Sequence, residues 1–123
     1  LEGTRWQYAH GVENEELLAP EAYYLDTFLF ERGGNKEIQL DLFLDYQNNL
    51  KIYPKFQQFF RDTQIPSLII WGKHDPFFIP PGAEAYKRDN PNAVVELLET
   101  GHFALETHVS YIAQRIREVI GDE

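Results

Sequence analysis

The segment LIIWGKHDPFF, residues 68–78, runs from four apolar residues into a loop that carries a carboxylate. Residues 67–71 are predicted to form a short strand, because they are almost continuously apolar and lie between Pro66 and Gly72. A strand of this type is typical of a parallel sheet that is covered on both faces. Asp75 therefore follows the carboxyl end of a strand, which is where binding and catalytic sites form in open parallel sheets.

A second strand, predicted at residues 94–98, ends just before the segment TGHFALE, residues 100–106. His102 follows this strand as Asp75 follows the first one. The helix predicted between them, residues 80–90, would return the chain so that the strands lie parallel and their loops share one edge. A carboxylate bound to one imidazole nitrogen fixes the tautomer, and the other nitrogen can then accept a proton. We expect Asp75 and His102 to form such a pair.

Each of these residues also has a purely structural explanation. An aspartate before a proline is common turn chemistry, and a Gly-His turn on its own is more often structural. The combination of both residues, in this order and at two strand ends, favours the catalytic pair. Gly72 and Gly101 are expected to allow tight turns after the strands. Three aromatic residues are expected to keep the surroundings dry and so strengthen the electrostatics of the pair: Phe77, Phe78 and Phe103.

The remaining sequence is predicted to be largely helical. One helix is expected in residues 18–30, beginning near Pro20, and another in residues 36–53. Pro54 is predicted to end that helix and to begin the next, residues 54–63. The last helix is predicted to bury one apolar face, made of Val109, Ile112, Ala113, Ile116, Val119 and Ile120. The alternation of helices and strands in the second half predicts the α/β class.

Composition excludes several classes of function. The net charge of −9 argues against nucleic acid or an anionic membrane surface as partner. No stretch approaches the roughly 18 apolar residues of a membrane-spanning helix. The chain has no cysteine, and His102 and His108 lack the spacing of zinc ligands, so neither a metal nor a cofactor is expected.

The beginning of the chain also carries information. It starts with Leu1 and contains no methionine, so we expect its N-terminus to be processed, excised or incomplete. The sequence leaves the compartment open, with the cytoplasm favoured.

Two segments resemble the C-terminal part of α/β-hydrolases. PSLIIWGKHDPFF resembles the seventh strand and acid loop of that fold, and VVELLETGHFALE resembles its eighth strand and histidine loop. The match is closest to the branch of epoxide hydrolases and haloalkane dehalogenases, and it extends from about Arg5 onward. The resemblance implies an incomplete α/β-hydrolase fold, with Asp75 as triad acid and His102 as triad base. It further implies a helical cap remnant at residues 1–53 and a C-terminal core segment at residues 54–123.

The segment LDYQNNLKIYPKF resembles the end of the cap over such sites. Tyr46 stands where an epoxide hydrolase has a tyrosine that donates to the epoxide oxygen, although it could equally be a packed helix aromatic. Tyr8 is a candidate for the second such tyrosine. Phe77 and Phe103 complete the expected substrate-binding residues.

The nucleophile of the family is not found in this sequence. No Gly-x-Ser-x-Gly motif occurs, and the two serines, Ser67 and Ser110, do not suit the role. The resemblance implies a parent reaction in which a small hydrophobic substrate, an epoxide or a haloalkane, is hydrolysed through a covalent ester. The chain alone is expected to be inactive. The alternative is a non-catalytic fragment or degenerate paralogue that associates with another chain, or with itself through an exposed sheet edge.

Overall fold

The computed structural model describes residues 1–121 of the chain. Its α-helices are α1 (Glu2–Ala9), α2 (Pro20–Phe30), α3 (Asn35–Asp45), α4 (Gln47–Thr63), α5 (Pro80–Glu84), α6 (Tyr86–Asp89) and α7 (Ala104–Ile120). A short 3-10 helix, Glu15–Leu17, lies between α1 and α2, and the strands are β1 (Leu68–Gly72) and β2 (Val94–Leu98). In the part of the chain described, none of the helices is both long enough and apolar enough to cross a membrane.

The two strands form a parallel pair, as the sequence predicts. Leu68 is aligned with Val94 at one end of the pair, and Gly72 is aligned with Leu98 at the other. Helices α5 and α6 make the connection between the strands. The pairing continues beyond the strands, because the Lys73 amide donates to the Leu98 carbonyl over 2.8 Å. The α/β class is therefore confirmed, and the two loops begin side by side.

The core lies between this sheet and the helices next to it. Ile69, Ala83 and Ala93 are buried together, and three partly buried side chains pack against them: Trp71, Val95 and Leu97. This core ties β1 and β2 to α5, so the sheet edge that carries both loops is held by apolar packing.

The predicted buried face of α7 is only partly present. Ile112 is buried and Ala113 is partly buried, whereas Val109, Ile116 and Val119 are exposed. A sheet of two strands is too narrow to cover the whole apolar stripe of a helix of this length. The side chain of Ile120 lies outside the described residues.

The prediction that Pro54 ends a helix is wrong. Helix α4 continues through Pro54, and the break with α3 falls at Tyr46 instead. Proline removes the amide that would bond to the carbonyl of Leu50. Leu50 is 58% exposed, so water can replace that bond.

The helix predicted at residues 80–90 is divided into α5 and α6 at Ala85. The boundary between a cap remnant, residues 1–53, and a core segment, residues 54–123, stays a prediction, and α4 runs across it.

A buried asparagine ties the end of the connection to the start of β1. Asn90 is fully buried, and its Nδ2 donates to the Ile65 carbonyl over 2.7 Å and to Ser67 Oγ over 3.1 Å. Because both donors of the amide are bonded, its burial costs little. The contact fixes where β1 begins, and hence where Asp75 emerges.

Gly72 begins a turn, since the Asp75 amide donates to its carbonyl over 3.3 Å, and both Gly72 and Gly101 leave room for the backbone after the strands. Neither has a positive φ; both lie where backbones come very close together. A Cβ on Gly72 would lie 2.0 Å from the Gly101 carbonyl oxygen, and a Cβ on Gly101 would lie 2.0 Å from that of His10. The loops after both strands and the end of α1 therefore meet at one point.

Candidate active site

Asp75 and His102 come together at the carboxyl end of the sheet. Their positions are 27 residues apart in sequence, yet His102 Nδ1 lies 2.8 Å from Asp75 Oδ2. The contact follows from the parallel register, because Asp75 lies three residues beyond Gly72 and His102 lies four beyond the paired Leu98. The structure thus brings together the two residues that the sequence predicts to pair.

The carboxylate of Asp75 is held from two sides. Its Oδ1 accepts hydrogen bonds from the backbone amides of Phe77, at 2.8 Å, and Phe78, at 3.0 Å, so Oδ2 is left for His102. Burial acts to raise the pKa of Asp75, but the Phe78 amide, the His102 ring and the Phe77 amide outweigh burial, and the pKa lies below its ordinary value. Asp75 is therefore ionised at neutral pH although the residue is only 6% exposed.

The ring of His102 is oriented by this contact. A carboxylate can only accept a hydrogen bond, so Nδ1 carries the proton and donates it. Nε2 is then the basic nitrogen of the neutral ring. The side chain is 23% exposed, so a small molecule or a water can reach it. The arrangement can accept a proton at Nε2 while Asp75 stabilises the imidazolium that forms.

Three phenylalanine rings surround the imidazole. The ring centroids of Phe77, Phe78 and Phe103 lie 5.0, 5.5 and 4.8 Å from that of His102. The expected substrate-contact residues Phe77 and Phe103 therefore both lie against the ring. Phe103 is in turn stacked on Tyr8 at 4.2 Å. These rings lower the local dielectric, which strengthens the contact between acid and imidazole.

The two candidate tyrosines lie in different surroundings. Tyr8 is buried, and its hydroxyl donates to Asp26 Oδ2 over 2.6 Å. Burial, followed by this hydrogen bond, raises the pKa of Tyr8. This geometry argues against Tyr8 as a donor to a substrate. Tyr46 is 44% exposed at the junction of α3 and α4, and its hydroxyl is hydrogen-bonded to that of Tyr53.

Tyr53 is a residue that the sequence analysis did not single out. It lies seven positions after Tyr46, which is two turns of a helix, so the two side chains fall on the same face. That spacing could have identified the pair. The amide donors of Phe77 and Phe78 were also missed, although an aspartate followed by proline commonly accepts from the amides that follow it.

The other candidate residues lie in structural positions. His74, next to Asp75 in sequence, is exposed, and its Nε2 is 2.8 Å from Glu99 Oε2. Ser67 Oγ donates to the Ile65 carbonyl and accepts from Asn90. Ser110 is exposed within α7. Within residues 1–121, no group of three or more histidine, aspartate or glutamate side chains could hold a metal ion.

A family model described as the alpha/beta hydrolase fold matches residues 22–109 of this chain. The chain belongs to the alpha/beta hydrolase fold family. The matched range includes both strands and the loops that carry Asp75 and His102, so the family match and the site geometry concern the same part of the molecule.

A curated relative is similar over most of the chain. It is the uncharacterized hydrolase YNR064C of Saccharomyces cerevisiae, 54% identical over 110 residues, which are 89% of this chain and 38% of the relative. The chain therefore spans well under half the length of the curated relative that it matches. No solved structure matches it.

Proposed function

We propose that this chain supplies the acid and the histidine of a nucleophile–histidine–aspartate triad in an α/β-hydrolase. The observation that carries the proposal is the 2.8 Å contact between His102 Nδ1 and Asp75 Oδ2, with Oδ1 already bound by two backbone amides. An aspartate that only stabilised the turn would need Oδ1 for the two amides and would not need an imidazole hydrogen-bonded to Oδ2. Membership of a hydrolase fold family supports the same reading.

The reaction that we propose for the parent enzyme proceeds through a covalent ester. A nucleophile elsewhere in that enzyme attacks a substrate carbon, and the bond from that carbon to the epoxide oxygen or the halogen breaks. Water then attacks the carbonyl of the ester while His102 Nε2 accepts its proton. The bond between the carbonyl carbon and the ester oxygen then breaks, His102 returns the proton to that oxygen, and the substrate leaves as an alcohol with the carboxylate nucleophile restored. Asp75 stabilises the imidazolium during this second step.

Tyr46 is proposed as a hydrogen-bond donor to the substrate oxygen. In a pair of hydroxyl groups only one donates to the other, so the accepting hydroxyl keeps its own hydrogen for another partner. Such a donor would serve an epoxide, whose oxygen takes up a proton when the ring opens, and would not be needed by a haloalkane.

A chimera with the yeast relative tests the proposal. The present chain would replace the matching 110 residues of that protein, and hydrolysis of styrene oxide, 1-chlorobutane and p-nitrophenyl acetate would be measured. We expect turnover of the epoxide. His102→Ala in the chimera should reduce turnover by roughly 10³-fold or more, since it removes the base of the triad. His74→Ala is the matched control, because His74 lies on the neighbouring loop and should leave turnover within about twofold of the parent chimera.

Retention of turnover in the His102→Ala chimera would contradict the proposal. Hydrolysis of the ester but not of the epoxide would assign the chain to an esterase instead. The isolated chain is expected to hydrolyse none of the three compounds.

A second candidate function is association with another polypeptide without catalysis. Large apolar side chains are exposed along α2 and α3, among them Phe28, Leu40, Phe43 and Leu44. A groove of about 480 Å³ also runs along β1 from Pro66 to Trp71, where another strand could pair. Sedimentation of the purified chain tests this candidate: a concentration-dependent dimer supports it, and a monomer at all concentrations removes self-association from consideration.

A further inference from the structure

Thr100 is a buried threonine that contacts both loops of the candidate site. It is fully buried, and its carbonyl accepts a hydrogen bond from the His74 amide over 3.0 Å. His74 directly precedes Asp75, and Thr100 stands two residues before His102. The backbone of Thr100 therefore connects the loop of the acid to the loop of the base.

The hydroxyl of Thr100 connects the same loop to α7. Its Oγ1 lies 2.8 Å from Oγ1 of Thr107, seven positions later in the chain. Within residues 1–121 Thr107 is the one hydrogen-bond partner of this hydroxyl, so Thr100 is the donor; otherwise its hydrogen would be buried without an acceptor. His102 lies between the two threonines, and their hydrogen bond closes the segment of residues 100–107 into a loop.

Thr107 has acceptors for its own hydrogen. Its Oγ1 lies 2.8 Å from Nδ1 of His108 and 3.4 Å from the Ala104 carbonyl oxygen. A hydroxyl carries one hydrogen and two lone pairs, so Thr107 can accept from Thr100 and donate to one of these groups. Valine has nearly the shape of threonine but can do neither.

The first turn of α7 has little apolar packing to hold it in place. The backbone leaves the helical conformation at His108, where φ is −127° and ψ is 23°, so this turn is separated from the rest of the helix. Leu105, which lies in the turn, is 61% exposed and therefore contributes little buried area. The hydrogen bond between the two threonines ties the turn to the end of β2.

We propose that Thr100 and Thr107 are positioning residues for His102. Their hydrogen bond closes the segment that carries the base, and it thereby holds the imidazole against the carboxylate of Asp75. Within the described residues neither hydroxyl is hydrogen-bonded to the imidazole, so both act through the backbone of the segment. The effect on turnover rests on the proposed function, whereas the placement of the imidazole does not.

Thr107→Val tests the proposal by removing the hydroxyl and keeping the shape of the side chain. In ¹⁵N-histidine-labelled chain, the Nδ1 proton of His102 should exchange with water about tenfold faster than in the parent, because its contact with Asp75 opens more often. Thr107→Ser restores a hydroxyl and should bring the exchange rate to within about twofold of the parent. Thr27→Val is the matched control, since Thr27 is also a partly buried helix threonine, and its hydroxyl donates to the Tyr23 carbonyl.

The yeast chimera provides the kinetic measurement. Thr107→Val should lower kcat for styrene oxide about tenfold while KM stays within about twofold, because the base is misplaced and substrate binding is unchanged. Thr107→Ser should again restore the parent value. If Thr107→Val does not fold, Thr107→Ala takes its place, since alanine also lacks the hydroxyl and favours a helix.

Loss of kcat and faster exchange in Thr107→Val, both restored by Thr107→Ser, would support the proposal. Equal exchange rates and equal kcat in the two variants and the parent would overturn it. That holds even where the unfolding midpoint of Thr107→Val is lower, since the hydroxyl would then only stabilise the fold. A chimera without turnover would remove the proposed function, and the exchange rates would still decide how His102 is placed.

Discussion

His102 donates from Nδ1 to Oδ2 of Asp75 over 2.8 Å, although each residue lies on a different loop. The relationship depends on the parallel register of β1 and β2, which places the last residues of both strands, Gly72 and Leu98, opposite each other. It depends equally on the amides of Phe77 and Phe78, which hold the other carboxylate oxygen. The pair is therefore built by backbone geometry as much as by the two side chains.

The lowered pKa of Asp75 predicts how stability changes with pH. Because the folded-state pKa lies below the ordinary 3.8, the folded chain binds fewer protons than the unfolded chain in that region. The resulting stabilisation is fully present above about pH 5 and is lost as the pH falls through the folded-state pKa. The free energy of unfolding in urea, measured between pH 2.5 and 7, should show this loss. The other carboxylates also titrate in this range, so a variant without the Asp75 carboxylate is needed to isolate its contribution.

Asp75→Asn is that variant, and it should remove part of the pH dependence. At pH 7 we expect it to cost about 2 kcal/mol, because hydrogen bonds to a charged group are replaced by weaker ones. Its stability should also change less than that of the parent below pH 4. Asp45→Asn, at an exposed position, is the control. An unchanged pH profile in Asp75→Asn would show that the carboxylate is not held as described.

Gly101→Ala should destabilise the chain through a backbone clash. Its Cβ would lie 2.0 Å from the His10 carbonyl oxygen, so the end of α1 must move away from the sheet edge. We expect a loss of about 3 kcal/mol in the free energy of unfolding, at the upper end for overpacking. Gly33→Ala is the matched control, because no atom lies within 4 Å of its added Cβ. Equal unfolding midpoints for the two variants would contradict the packing described.

Tyr8→Phe should separate the structural role of Tyr8 from a catalytic one. The substitution removes the hydrogen bond to Asp26 and keeps the ring that stacks on Phe103. We expect a loss of about 1–2 kcal/mol, measured by urea unfolding, because Asp26 loses a donor in a partly buried position. In the yeast chimera the same substitution should leave epoxide turnover within about threefold of the parent. A loss of turnover as large as that in His102→Ala would return Tyr8 to the substrate site.

Much of the sheet and of the acid–imidazole pair could be predicted from the sequence. The apolar run at residues 68–71, bounded by Pro66 and Gly72, has few alternatives to a buried strand. A helix-forming segment between two such strands then requires a parallel crossover, which places both following loops at one edge. The contact between Asp75 and His102 follows once these two strands are taken to be neighbours in the sheet.

Features that depend on what surrounds a helix could not be predicted in this way. The apolar stripe of α7 indicates a buried face, but Val109 and Ile116 stay exposed because the sheet beside them has two strands. Pro54 is compatible with α4 because the preceding turn is exposed to solvent. The residues around Pro54 do not by themselves predict that exposure. The edge-to-face contact between Phe60 of α4 and Tyr86 of α6, at 5.6 Å, is likewise a packing that the periodicity of neither helix predicts.

The tautomer of His102 provides the most direct test of the central claim. In ¹⁵N-histidine-labelled chain, the account predicts that the neutral form of the His102 ring carries its proton on Nδ1 and that Asp75→Asn shifts this form toward the opposite tautomer. A neutral ring protonated at Nε2 in the parent chain, and unchanged by Asp75→Asn, would contradict the account.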